Sequence, residues 1–130
     1  MLSEFSIHPS LAASDVKRAR SWYADKLQLL PTREYDDLLE YRVGDSVLTV
    51  YDSPNAGSAK NTVAVENVPD LRAEVAGLKT RGVVFEDYDF GDWKTVDGVM
   101  TDPEGGMAAW FTDSEGNVLS LAQIKEGVAS

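Results

Sequence analysis

From Phe5 the chain alternates between apolar and polar positions. Phe5, Ile7, Leu11 and Ala13 fall on one side of an extended segment, and Ser6, His8, Ser10 and Ala12 on the other. This predicts a strand over 5–13, with an apolar face for packing on a helix. Its polar face, carrying the only histidine of the chain, is free to line a cavity. The period then changes. Val16, Ala19, Tyr23 and Leu27 recur at helical spacing, with Lys17, Arg18 and Asp25 on the solvent side. Ser14 or Asp15 is placed to cap this helix, and Pro31 closes it. Three short strands follow, over 32–35, 39–43 and 46–51, with Gly44-Asp45 as the turn between the last two.

A connector rich in turn formers, 52–60, separates this pattern from a second one. A strand over 61–68 leads to a helix opened by Pro69 and stopped by Gly82. Strands over 83–89, 107–113 and 117–123 complete it, the last two joined by Ser-Glu-Gly-Asn, and 125–130 reads as a frayed tail. The order strand, helix, three strands thus occurs twice. Asp15-Val16-Lys17 overlays Asp70-Leu71-Arg72 at an offset of 55, and Val47–Val50 overlays Val118–Leu121. The expected architecture is α+β: two βαβββ modules, about 4–52 and 61–124, forming a curved, mostly antiparallel sheet around a central cleft. The helices lie outside and an insert spans about 88–106, all within one domain over 1–130.

Composition narrows the function. The 130 residues contain no cysteine, which excludes disulfides, cysteine–zinc sites and a cysteine nucleophile. Twelve basic against 22 acidic residues give a formal charge of -10, which repels nucleic-acid backbones and anionic lipid and favours a cationic small molecule. The start MLSEFSIHPS lacks the basic and long apolar regions of a signal peptide, and nothing reaches membrane-spanning length, so a cytoplasmic location is expected.

The opening HPSLAASDVKRARSWYADKLQL and the closing AAWFTDSEGNVLSLAQ resemble the vicinal oxygen chelate superfamily. That group contains glyoxalase I, extradiol dioxygenases and bleomycin- or fosfomycin-resistance proteins. Trp22-Tyr23 matches an aromatic-Tyr pair on the first helix, and the closing stretch matches a Phe-Phe-x-Asp-Pro-Asp-Gly-Asn hairpin, with Ser114 in place of proline. The resemblance implies a homodimer and a divalent-metal site fed by the first and last strands of each module. At those four positions stand His8, Thr49, Val63 (or Thr62, if the register slips) and Ser120. Only His8 is a metal ligand of the usual kind. Valine has no donor, and a neutral hydroxyl is a poor substitute for a carboxylate.

No metal or other cofactor is therefore expected, with His8 the ligand if there is one. The expected function is metal-independent binding or sequestration of a small organic molecule, of cationic aromatic type, as in antibiotic resistance. The ligand-binding candidates are His8, Ser10, Thr49, Tyr51, Val63, Trp93, Trp110 and Ser120, with His8 also a candidate base. Two rival readings stay open. One is a metal-dependent lyase, isomerase or dioxygenase of the glyoxalase type. The other is a structural interaction module that binds no small molecule.

Overall fold

A computed structural model of the chain describes residues 1–124; the tail expected at 125–130 lies outside the described residues. The first module comprises β1 (Ser10–Ala13), α1 (Val16–Trp22) with a π-helical turn over Tyr23–Leu27, β2 (Arg33–Tyr35), β3 (Leu38–Val43) and β4 (Ser46–Asp52). The second comprises β5 (Thr62–Asn67), α2 (Leu71–Thr80), β6 (Thr95–Val96), β7 (Val99–Thr101), β8 (Met107–Thr112) and β9 (Val118–Gln123). They form two mixed sheets, of order β1-β4-β3-β2 and β5-β9-β8-β7-β6. In each module the first strand runs parallel to the last, and the other pairs are antiparallel. The repeat seen in the sequence is therefore a repeat of topology.

It is also a repeat of detail. Asp15 caps α1 by accepting from the Arg18 amide, and Asp70, 55 residues on, caps α2 by accepting from the Ala73 amide. At the same offset Lys26 Nζ donates to the Arg81 carbonyl and Arg81 Nε donates to the Lys26 carbonyl, each at 2.7 Å. This reciprocal pair marks a local two-fold relation where the modules meet.

One core spans both modules. Leu11, Tyr23, Tyr41 and Val50 belong to the same buried cluster as Leu71, Val75, Phe111 and Leu121. Trp22 stacks on Phe111, with centroids 6.3 Å apart, and Tyr23 on Tyr41 at 5.5 Å. Beside this apolar seam, the β8–β9 turn docks on the start of α1. Glu115, its side chain wholly buried, accepts from the Ser14 and Asp15 amides, from two Arg18 nitrogens and from Ser14 Oγ and Ser114 Oγ. Asp113 accepts from Tyr23 Oη at 2.7 Å and from the amides of Glu115 and Asn117. Burial works against the Glu115 charge, but these donors outweigh it and bring its pKa down to about 2.

The structure corrects the sequence reading in three places. The first strand begins at Ser10, not Phe5. Pro9 has no N–H to give a ladder; its carbonyl still accepts from the Thr49 amide at 3.1 Å, but the pairing stops there although β4 runs on to Ser46. Phe5 and Ile7 are consequently 69% and 94% exposed rather than packed on a helix, whereas Leu11 and Ala13 are buried as expected. Second, 83–89 is not a strand. Its strand-like pairing with β8 is limited to the Phe85–Phe111 bridge, after which it folds back on itself. Asp87 accepts from Thr95 Oγ1 at 2.7 Å and from the Gly98 amide at 2.8 Å. The place beside β8 goes to β7, so the insert supplies two strands of the sheet. Third, the first helix ends at Leu27, with Gln28 left-handed, before Pro31 is reached; the second begins at Leu71, one residue after its Asp70 cap.

Candidate functional site

Each sheet buries one face in the core and leaves the other open. On the first sheet the open face is set out in rows by the strand register. Ser10, Thr49, Glu40 and Arg33 form one row across β1, β4, β3 and β2; Ala12, Tyr51, Leu38 and Tyr35 form the next. Thr49 Oγ1 donates to Ser10 Oγ at 2.7 Å, and Arg33 Nε lies 3.5 Å from a Glu40 carboxylate oxygen. The expected Ser10, Thr49 and Tyr51 thus share one face. His8 is exposed, lies outside the strand, and makes no hydrogen bond among the described residues, so nothing there orients it as a base.

The open face of the second sheet is aromatic. Trp110 on β8 stands opposite Ser120 on β9, and the folded-back loop lays Tyr88, Phe90 and Trp93 around it. Trp93 and Trp110 meet edge to face with centroids 5.3 Å apart, and Phe90 and Trp93 are 5.2 Å apart. Tyr88 and Trp93 are half-buried, while Phe90 is 71% exposed at the rim. Ser120 is buried beneath, its Oγ donating to the Leu121 carbonyl at 3.2 Å. A bulge in β5 between Thr62 and Ala64 takes Val63 out of register and packs it on the core. Thr62 instead faces the cluster, accepting from Trp110 Nε1 at 3.2 Å. Tyr88 and Phe90 were missed as site residues. Their spacing of two, beside Gly91 and close to Trp93, was the available signal, masked by reading the segment as a strand followed by an insert.

Two cavities lie in these regions. One of about 490 Å³ is lined by Trp93, Met100 and charged residues including Arg72, Lys94, Asp97 and Asp102. The other, of about 370 Å³, is lined by Thr32, Arg33, Glu40, Arg42 and Val47. Each draws on one module alone. Within one chain, neither cavity unites Ser10, Thr49 and Tyr51 with Trp93, Trp110 and Ser120.

A divalent ion does not fit the positions where the resemblance places it. Thr49 and Ser120 offer neutral hydroxyls that are already hydrogen-bonded, Val63 offers no donor, and His8 stands apart. Among the described residues no three His, Asp or Glu side chains converge.

Comparison with known proteins settles the family. A sequence model described as the Glyoxalase/Bleomycin resistance protein/Dioxygenase superfamily matches residues 6–121. The chain belongs to this superfamily. No curated protein matches it in sequence. Among solved structures, a bleomycin-binding protein complexed with bleomycin is 18% identical, with a TM-score of 0.70 over 92% of this chain and 98% of that one. Lactoylglutathione lyase from Agrobacterium tumefaciens is 19% identical, with a TM-score of 0.69 over 95% and 97%. TnmS3, an antibiotic binding protein from Streptomyces sp. CB03234, is 23% identical, with a TM-score of 0.65 over 92% and 96%. At such identities the likeness is one of fold, and the superfamily fold hosts both a lyase and drug binders.

Proposed function

We propose that this protein reversibly binds a small, planar, cationic organic molecule without a metal. The observation that carries the proposal is the cluster of Tyr88, Phe90, Trp93 and Trp110 on an open sheet face. Such rings give apolar area and a negative π-face to a flat cation. Asp92, Asp97 and Asp102 around the adjoining cavity outnumber Arg72 and Lys94, and the net charge of -10 acts in the same direction at longer range. The likeness to a bleomycin-bound protein and to an antibiotic binding protein shows that this fold can serve such binding. In this reading the protein works as a homodimer, and the Ser10–Thr49–Tyr51 face of a second copy forms the opposite wall of the cleft.

The test is a fluorescence titration with a planar cationic dye such as acridine orange, alongside neutral and anionic aromatics of similar size. The cation should bind best and quench tryptophan emission, with no change on adding a chelator. Trp93→Ala should weaken binding about tenfold or more. Undiminished affinity in that variant would remove the cluster from the site. Binding that requires added zinc, manganese or nickel would favour the metal-dependent enzyme instead.

A further inference from the structure

We infer a second ligand chemistry on the open face of the first sheet: a site for the carboxylate of an aromatic acid, held by Arg33 and Arg42. The inference extends the reading above and shares with it the use of this face. It begins from register. Arg33 on β2 stands opposite Glu40 on β3, and Arg42 lies two residues along β3 from Glu40, so all three side chains leave the sheet on the same side. Arg33 and Arg42 are therefore diagonal neighbours, about 7–8 Å apart along the backbone. They line one 370 Å³ cavity with Val47 and Thr32.

The charges do not cancel there. The cavity holds two guanidinium groups and one carboxylate. The Arg33 and Glu40 side chains approach only to 3.5 Å, without a hydrogen bond, and among the described residues the Arg42 side chain has neither an ion pair nor a hydrogen bond. The two arginines of α1 behave differently: Arg18 is bonded to Glu115 and Arg20 to Glu34. In a chain of charge -10, two loosely engaged arginines in one hollow form a local positive site. Guanidinium forks match the planar oxygens of a carboxylate or the oxygens of a phosphate.

The adjoining row decides between these. Two residues along each strand from the Arg33–Glu40 row, about 7 Å from it and on the side away from Arg42, the same face carries Tyr35, Leu38 and Tyr51, with Tyr35 56% and Tyr51 38% exposed. A free phosphate would leave those rings unused. An aromatic acid whose ring lies on the tyrosines and whose carboxylate reaches the arginines would use both rows.

The experiment is an amide NMR titration of the full chain, with calorimetry, using 3-phenylpropionate as probe. Inorganic phosphate tests the anion alone, and 3-phenylpropylamine tests the same body with opposite charge. 3-Phenylpropionate should shift the amides of Arg33, Glu40, Arg42 and Val47. Arg33→Ala and Arg42→Ala should each weaken it about tenfold. Arg42→Ala should leave the binding of acridine orange at the aromatic cluster unchanged, so that failure of either site can be told from failure of the other. Arg42→Ala should melt like the parent protein. Absence of these shifts, equal binding of the amine, or full affinity in the Arg33→Ala/Arg42→Ala protein would overturn the inference. Phosphate binding as tightly as 3-phenylpropionate would overturn the assignment to an aromatic acid.

Discussion

Glu115 and Tyr41 are both buried polar side chains, and they have opposite consequences. Glu115 is ionised in a wholly buried position because six donors meet it. Its pKa lies near 2 in the folded chain and near 4.5 in an unfolded one. The stability this supplies is complete above about pH 4.5 and is lost as pH falls toward 2, an effect on the order of 3 kcal/mol. Urea denaturation across that range should show this acid-side loss, and Glu115→Gln should flatten it while lowering stability at neutral pH. The Tyr41 hydroxyl is buried without a partner among the described residues, and burial pushes its pKa up to about 12. Tyr41→Phe removes an unsatisfied group at no loss of volume. It should leave stability unchanged or raise it by up to about 1 kcal/mol in the same assay. A clear loss would mean that the hydroxyl has a partner.

At the scale of elements, the caps and the loop differ in how plainly the sequence announced them. Asp15 and Asp70 sit at matching offsets before matching apolar stripes, so both helices were legible to within a turn. Asp70→Ala should cost about 1 kcal/mol by thermal or chemical denaturation. The segment 85–99 was not legible, because its conformation is set by long-range geometry rather than by period. Asp87 closes it through Thr95 and Gly98, and Gly98 has φ +84 with the Phe85 Cβ only 2.7 Å from where its own Cβ would stand. Gly98→Ala should therefore cost about 2 kcal/mol or more, from the backbone conformation and the clash together. It should also disturb the Tyr88–Trp93 contact, visible as a change in tryptophan emission. The candidate site was half legible for the same reason. Ser10, Thr49 and Tyr51 follow from strand parity. Val63 and Thr62 exchange faces at a bulge that no hydropathy pattern encodes, and His8 was assigned to a strand that stops at Pro9, which has no N–H to continue the ladder.

For the whole molecule, the decisive feature is that the modules share one core. Trp22 and Tyr23 from the first module reach Phe111 and Asp113 of the second, and Glu115 of the second secures the start of α1. Gly116 approaches Gly57 so closely that a Cβ on Gly116 would lie 2.7 Å from the Gly57 Cα. The two modules should unfold together. Far-UV circular dichroism and tryptophan emission should give coincident denaturation curves; separated midpoints would mean that the modules are independent.

The reciprocal bonds between Lys26 and Arg81 also bear on how such a protein can diversify. Residues near that local dyad are constrained twice over, since each must suit its own module and the image of itself in the other. The open faces lie outside this constraint. One carries hydroxyls and guanidinium groups beside two tyrosines and the other a cluster of aromatic rings, although both are built on the same order of first, last and intervening strands. A repeated unit of this kind can vary what one half recognises while the joint between the halves stays as it is.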